Sequence, residues 1–207
     1  MASIPMVGLL PKSEIGRLFL SRNFPGSRVQ KVSRVGEATV GQCYQNVRAH
    51  VTQLGGSIQL GWILCWWPGH LVEALHHAVW RDPKGNLLDI TAPAYPTMTG
   101  KNVFFIEDNS TPIDDLDPAV PSKFSLLIDN EALNDYAIIA QARMKLIGML
   151  HLKFKEVGYT ISMEGIVVNN LISRDVIEIQ NCISEYSRAL AAYNDKFSRG
   201  DLTLFDT

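Results

Sequence analysis

Cysteine is scarce in this chain of 207 residues, which has three: Cys43, Cys65 and Cys182. So sparse and odd a count leaves no disulfide framework to hold a fold together, and it points to reduced thiols and a cytoplasmic setting. Long apolar runs are lacking too. No stretch approaches the roughly 18 consecutive apolar residues of a membrane span, because the richest one, Gly61 to Trp67, is stopped by Pro68-Gly69-His70. Met1 to Leu10 is apolar, but it has no basic flank and soon reaches Pro11 and Lys12, unlike a secretory signal. Excess positive charge is also missing. The 19 Lys and Arg face 21 Asp and Glu, a formal net charge of -2, so no overall field draws the chain to a phosphate backbone. Neither nucleic acid nor a membrane is an expected partner.

What is present suits a globular α+β protein, with 46% hydrophobic and 19% charged residues. Residues 1–36 predict one short helix around Ser13 to Ser21, then irregular chain or a strand, with no chemistry assigned to them. Over Gln42 to Leu54 the residues Cys43, Val47, Val51 and Leu54 recur with helical spacing, and Gly55-Gly56 ends the pattern. Cys43 therefore stands at a helix start. Ser57 to Trp67, Glu73 to Arg81 and Asn86 to Thr91 have the branched and aromatic content of strands. The polar, acidic passage Asn109 to Ser122 reads as a linker, and Phe124 to Ile128 as a further strand. Helical spacing then returns over Glu131 to Glu156 and Ser173 to Phe197. The expected organisation is a catalytic region over 1–128 and a helical region over 129–207.

At a helix start, unpaired N–H groups and the macrodipole favour negative charge, which suits a thiolate nucleophile at Cys43. A small buried hydrophobe would occupy the same position equally well. The segment that follows separates the two readings. Asp82-Pro83-Lys84-Gly85 has the composition of a tight turn closed by a glycine bulge. That turn pairs Asp82 with Asn86 and hence Val79 with Asp89. His77 then becomes the diagonal, same-face neighbour of Asp89, close enough for the carboxylate to take the Nδ1 proton and leave Nε2 for Cys43. His76 points to the other face and would replace His77 only if the loop changed by one residue. Cys43, His77 and Asp89 thus supply the nucleophile, the acid/base and its orienter.

The segments Gly41-Gln42-Cys43-Tyr44-Gln45-Asn46-Val47, Gly61-Trp62, His77-Ala78-Val79-Trp80 and Leu88-Asp89-Ile90-Thr91 resemble a pattern in small bacterial and phage proteins, Cys…Gly-Trp…His-Ala-Val-Trp…Asp-Ile-Thr-Pro. More distantly they resemble the transglutaminase, arylamine acetyltransferase and papain-like superfamily. The resemblance spans roughly Gly41 to Pro93, with Ala92 inserted before the proline, and it implies a Cys-bearing helix packed on an antiparallel sheet. The distance from His77 to Asp89 is shorter than in typical transglutaminases, so their substrates do not carry over.

An acyl-transfer site also needs oxyanion donors. The Cys43 backbone N–H is one, with the Gln42 side chain as the first candidate for another and Asn46 as the second, although a local capping role suits Asn46 better. Trp62, Trp66 and Trp67 would line a substrate groove or, as an aromatic run in a strand, fill the core. No cofactor is expected, and the substrate class is a protein, peptide or amide. Two rivals stand beside the thiol enzyme. One is a zinc site built from Cys65, His70, His76 and His77, which gives Cys43 no role. The other is a binding protein on a degenerate enzyme fold, with the C-terminal helices as the surface for a partner or for self-association.

Overall fold

The computed structural model describes residues 7–93, 100–114, 116–162, 165–168 and 174–199. The chain divides into two compact units, Ala2–Pro112 with Ser122–Asp129 and Ile113–Pro121 with Asn130–Thr207. The first contains β1 (Val7–Gly8), α1 (Glu14–Asn23), β2 (Val29–Ala38), α2 (Cys43–Leu54), β3 (Ser57–Trp67), β4 (Leu71–Arg81), β5 (Leu87–Thr91), β6 (Asn102–Glu107) and β7 (Lys123–Leu126). The second contains α3 (Glu131–Val157), β8 (Tyr159–Ser162), β9 (Gly165–Val168) and α4 (Arg174–Ser198).

Five strands of the first unit close into a ring in the order β3, β6, β2, β5, β4, with β4 returning to β3. The β2 and β5 strands run parallel and the other pairs antiparallel, so the sheet is mixed rather than purely antiparallel. Strand alternation separates the two faces. Val32, Ile63, Val79, Val103 and Phe105, with Leu75 and Leu87 against them, fill the inside of the ring, and every one of its strands contributes. Leu60, Ala78 and Ile90 belong to the opposite face and pack with Cys43 and Val47 of α2. Val47 is fully buried there, a burial that contributes about 1.5–3 kcal/mol for such a side chain.

The parity of β3 and β4 explains Gly61. It pairs with His77 and shares its face with Ile63, and the Phe105 ring occupies the space a side chain would need. A Cβ at Gly61 would stand 2.3 Å from that ring and 2.2 Å from the Ile106 carbonyl oxygen. The site hairpin has the counted register. Gly85 adopts φ +89°, Asp82 N–H donates to Asn86 O at 2.9 Å, and Trp80 pairs with Leu88.

In the second unit, α3 and α4 are tied by Arg143 Nε donating to Ser187 Oγ at 2.7 Å and by the aromatic group Tyr136, Tyr193 and Phe197. The passage expected to be a linker divides differently. Residues 113–121 belong with the helices, so the boundary differs from 128/129. Leu116 is buried, and Asp114 both accepts from the Leu116 N–H and pairs with Lys155 at 2.6 Å. β6 and the β8–β9 hairpin fall outside the expected strands. The place of β6 comes from distant partners, β2 and β3, which local composition does not reveal. No helix among the described residues is long and apolar enough to cross a membrane.

Candidate active site

Cys43 is the first residue of α2, and the Asn46 N–H reaches back to Gln42 O at 2.9 Å to close the first turn. The thiol is buried, with 8% of the residue exposed. His77 Nε2 on β4 lies 3.0 Å from Asp89 Oδ1, and Cys43 is near enough to be felt by the same imidazole. Nε2, and not the expected Nδ1, is therefore the nitrogen that meets the carboxylate.

The third side chain at this pair was not anticipated. Arg34 of β2 lies opposite Asp89 in the parallel ladder, and its Nε donates to Asp89 Oδ2 at 2.9 Å, with the two side chains 8% and 0% exposed. Nothing in the local sequence signals Arg34, because its partner is 55 residues away. Asp89 Oδ1 also accepts the Thr91 N–H at 3.3 Å. Burial alone would push the Asp89 carboxyl up, but the hydrogen bonds and charges of His77 and Arg34 outweigh it and hold the group below its ordinary value. At His77, burial pulls the imidazole down. The Cys43 charge, the bonds to Asp89 and Cys43 and the Asp89 charge prevail, and the group is raised to about 10.

His76 behaves oppositely. It lies on the α2 side of β4, with Nδ1 2.9 Å from the Tyr44 hydroxyl and its ring edge-on to Trp62 at 5.0 Å. Its Nε2 is buried without a hydrogen bond, 3.6 Å from Asp108 Oδ2. Burial lowers this imidazole to about 4, against the pull of the Asp108 charge and with a further push from His77. Burial with few polar partners thus lowers one imidazole of β4 while anionic neighbours raise the next.

Gln42 is exposed at the helix N-cap and makes no side-chain capping bond. Asn46 donates both amide hydrogens, to Thr39 O at 2.8 Å and to Thr91 Oγ1 at 3.1 Å, which leaves none for an oxyanion. Trp62 is buried rather than lining a groove, and its indole N–H donates to Asp108 Oδ2 at 3.2 Å. Trp67 is buried as well. The residues of the zinc alternative do not converge. Cys65 is buried and donates to Glu73 O, His70 Nδ1 lies 2.7 Å from Pro68 O in a turn, and His76 and His77 point to opposite faces. Among the described residues no group of three or more His, Cys, Asp and Glu side chains is arranged to hold a metal ion.

Comparison with protein-family models, with curated proteins and with solved structures finds no match for this chain.

Proposed function

We propose that this protein is a thiol-dependent acyl-transfer enzyme, a peptidase, amidase or deamidase, working through Cys43, His77 and Asp89 in a papain/transglutaminase-like arrangement. One observation carries the reading: a buried imidazole lies 3.0 Å from a buried carboxylate that Arg34 also holds, with the Cys43 thiol at a helix start close enough to raise that imidazole. The free thiols suit a reducing cytoplasm.

In the proposed reaction the proton of Cys43 resides on His77 Nδ1, and the sulfur attacks a carboxamide or peptide carbonyl. The Cys43 N–H and the Gln42 side chain meet the resulting oxyanion. As the tetrahedral adduct collapses, His77 donates its Nδ1 proton to the departing nitrogen, the C–N bond breaks and a thioester remains. Water or another acceptor then loses a proton to the same nitrogen and attacks the thioester, and collapse of the adduct releases the acyl group and returns Cys43 as thiolate beside protonated His77. Asp89 stays ionised throughout and holds Nε2–H.

Intact-mass measurement after acid quench, with a panel of amides and peptides, tests this. An acyl adduct on wild type that disappears in Cys43→Ala and in His77→Ala is the expected outcome. An adduct that survives in Cys43→Ala removes the thiol from the mechanism. Absence of any adduct, together with equally slow alkylation of all three cysteines, favours a binding protein on an enzyme-like fold.

A further inference from the structure

The backbone ladder between β4 and β5 covers Trp80↔Leu88 and Arg81↔Leu87, next to the turn. From Leu88 onward β5 is paired with β2, through Ser33↔Leu88, Arg34↔Asp89 and Ala38↔Thr91. His77 and Asp89 therefore face each other across strands that no longer share backbone hydrogen bonds. Their spacing is not fixed by a ladder between β4 and β5 at this point.

The first turn of α2 spans that opening from both sides. Tyr44, immediately after the nucleophile, brings its hydroxyl to 2.9 Å from His76 Nδ1 and donates to His76 O at 3.3 Å, which attaches the turn to the β4 residue beside the base. Asn46 donates to Thr91 Oγ1 at 3.1 Å, which attaches the same turn to β5 two residues beyond the orienter. The second hydrogen of that amide goes to Thr39 O at 2.8 Å and fixes the loop leading into the helix. His76 is held in turn by its edge-on contact with Trp62 and by the neighbouring Asp108, which accepts from Trp62, Ser110 and Thr111.

We infer that Tyr44 with His76, and Asn46 with Thr91, form a two-point clamp in which the first turn of α2 replaces the missing β4–β5 ladder and sets the distance between Cys43 and His77. This inference rests on the thiol-enzyme reading and adds positioning residues to it. It gives His76 a role as an anchor on β4, distinct from the base His77, and it gives Asn46 a role in holding the nucleophile rather than in binding an oxyanion.

Iodoacetamide labelling of the full chain at neutral pH, read by peptide mass with exposed Cys182 as an internal reference, tests the clamp. Wild-type Cys43 is expected to react faster than Cys182. Tyr44→Phe, Thr91→Val and Asn46→Ala should each slow Cys43 by about tenfold or more, since displacing reacting groups by about 1 Å can cost a hundredfold. Thr91→Ser keeps the acceptor oxygen and should label like wild type. The Cys182 rate should not change, and the far-ultraviolet thiolate absorbance that Cys43→Ser removes should fall in the three impaired variants. A purely structural role would lower the melting temperature without changing the ratio of the two rates. Wild-type-like Cys43 labelling in Tyr44→Phe and Thr91→Val, or equal losses in Thr91→Ser and Thr91→Val, overturns the clamp and leaves the thiol enzyme standing. Wild-type Cys43 no faster than Cys182 overturns both.

Discussion

Arg34 Nε occupies the oxygen of Asp89 that His77 does not use, at 2.9 Å, so the carboxylate is gripped from two strands with neither partner displacing the other. The pair is almost fully buried, and deleting Arg34 leaves the Asp89 carboxylate with His77 and the Thr91 N–H as its partners. Arg34→Met should cost more than about 1 kcal/mol and up to about 3–5 kcal/mol, the upper range being that for breaking a buried ion pair. Urea denaturation of the variant measures this, and a loss below about 1 kcal/mol would contradict a buried, paired Asp89.

The charge on His77 has a readable pH range. Its folded value is raised above the ordinary 6.5 to about 10, so the stability it contributes is fully present below about 6.5 and disappears as pH rises through about 10. Activity that depends on the imidazolium should have its alkaline limb in the same region, well above that of an ordinary histidine. Because the negative charge at Cys43 is the largest of the raising causes, Cys43→Ser should move the His77 titration down. Ring-proton NMR across this range is the check, and a His77 titration near 6.5 in the wild type would be inconsistent with the site geometry.

Glu73 offers a test independent of the site. Burial raises its carboxyl from 4.5 to about 7, opposed in part by a hydrogen bond from Ser122. The folded state therefore binds this proton more tightly than the unfolded chain. Its stabilising contribution is complete below about 4.5 and is lost as pH rises through about 7. Glu73→Gln should accordingly be more stable than wild type at pH 8, by up to about 3 kcal/mol. Equal melting curves at pH 8 would rule out a buried, protonatable Glu73.

Gly61 should tolerate no side chain. A Cβ there meets the Phe105 ring at 2.3 Å and the Ile106 carbonyl at 2.2 Å. Gly61→Ala should destabilise by about 1–3 kcal/mol or more. Adding Phe105→Leu should restore only part of the loss, since the backbone contact remains. Full recovery in the double variant would place the whole conflict in the ring.

The sequence by itself determined the site hairpin. Asp82 Oδ1 accepts from the N–H groups of Lys84 and Asn86, each at 2.8 Å, and Gly85 takes the positive φ that closes the loop. Those forces act within five residues, so counting outward from the turn places His77 and Asp89 on one face. The start of α2 was legible for the same reason. Tertiary structure alone decided what joins distant segments: Arg34 against Asp89 through a parallel pair, β6 closing the ring, and residues 113–121 packed with the helices. It also decided which imidazole nitrogen meets the carboxylate, because that depends on the spacing of two strands whose ladder has ended. Local turn and cap chemistry is written in adjacent residues, whereas these arrangements arise from burial of apolar faces and pairing of charges brought together only when the ring closes.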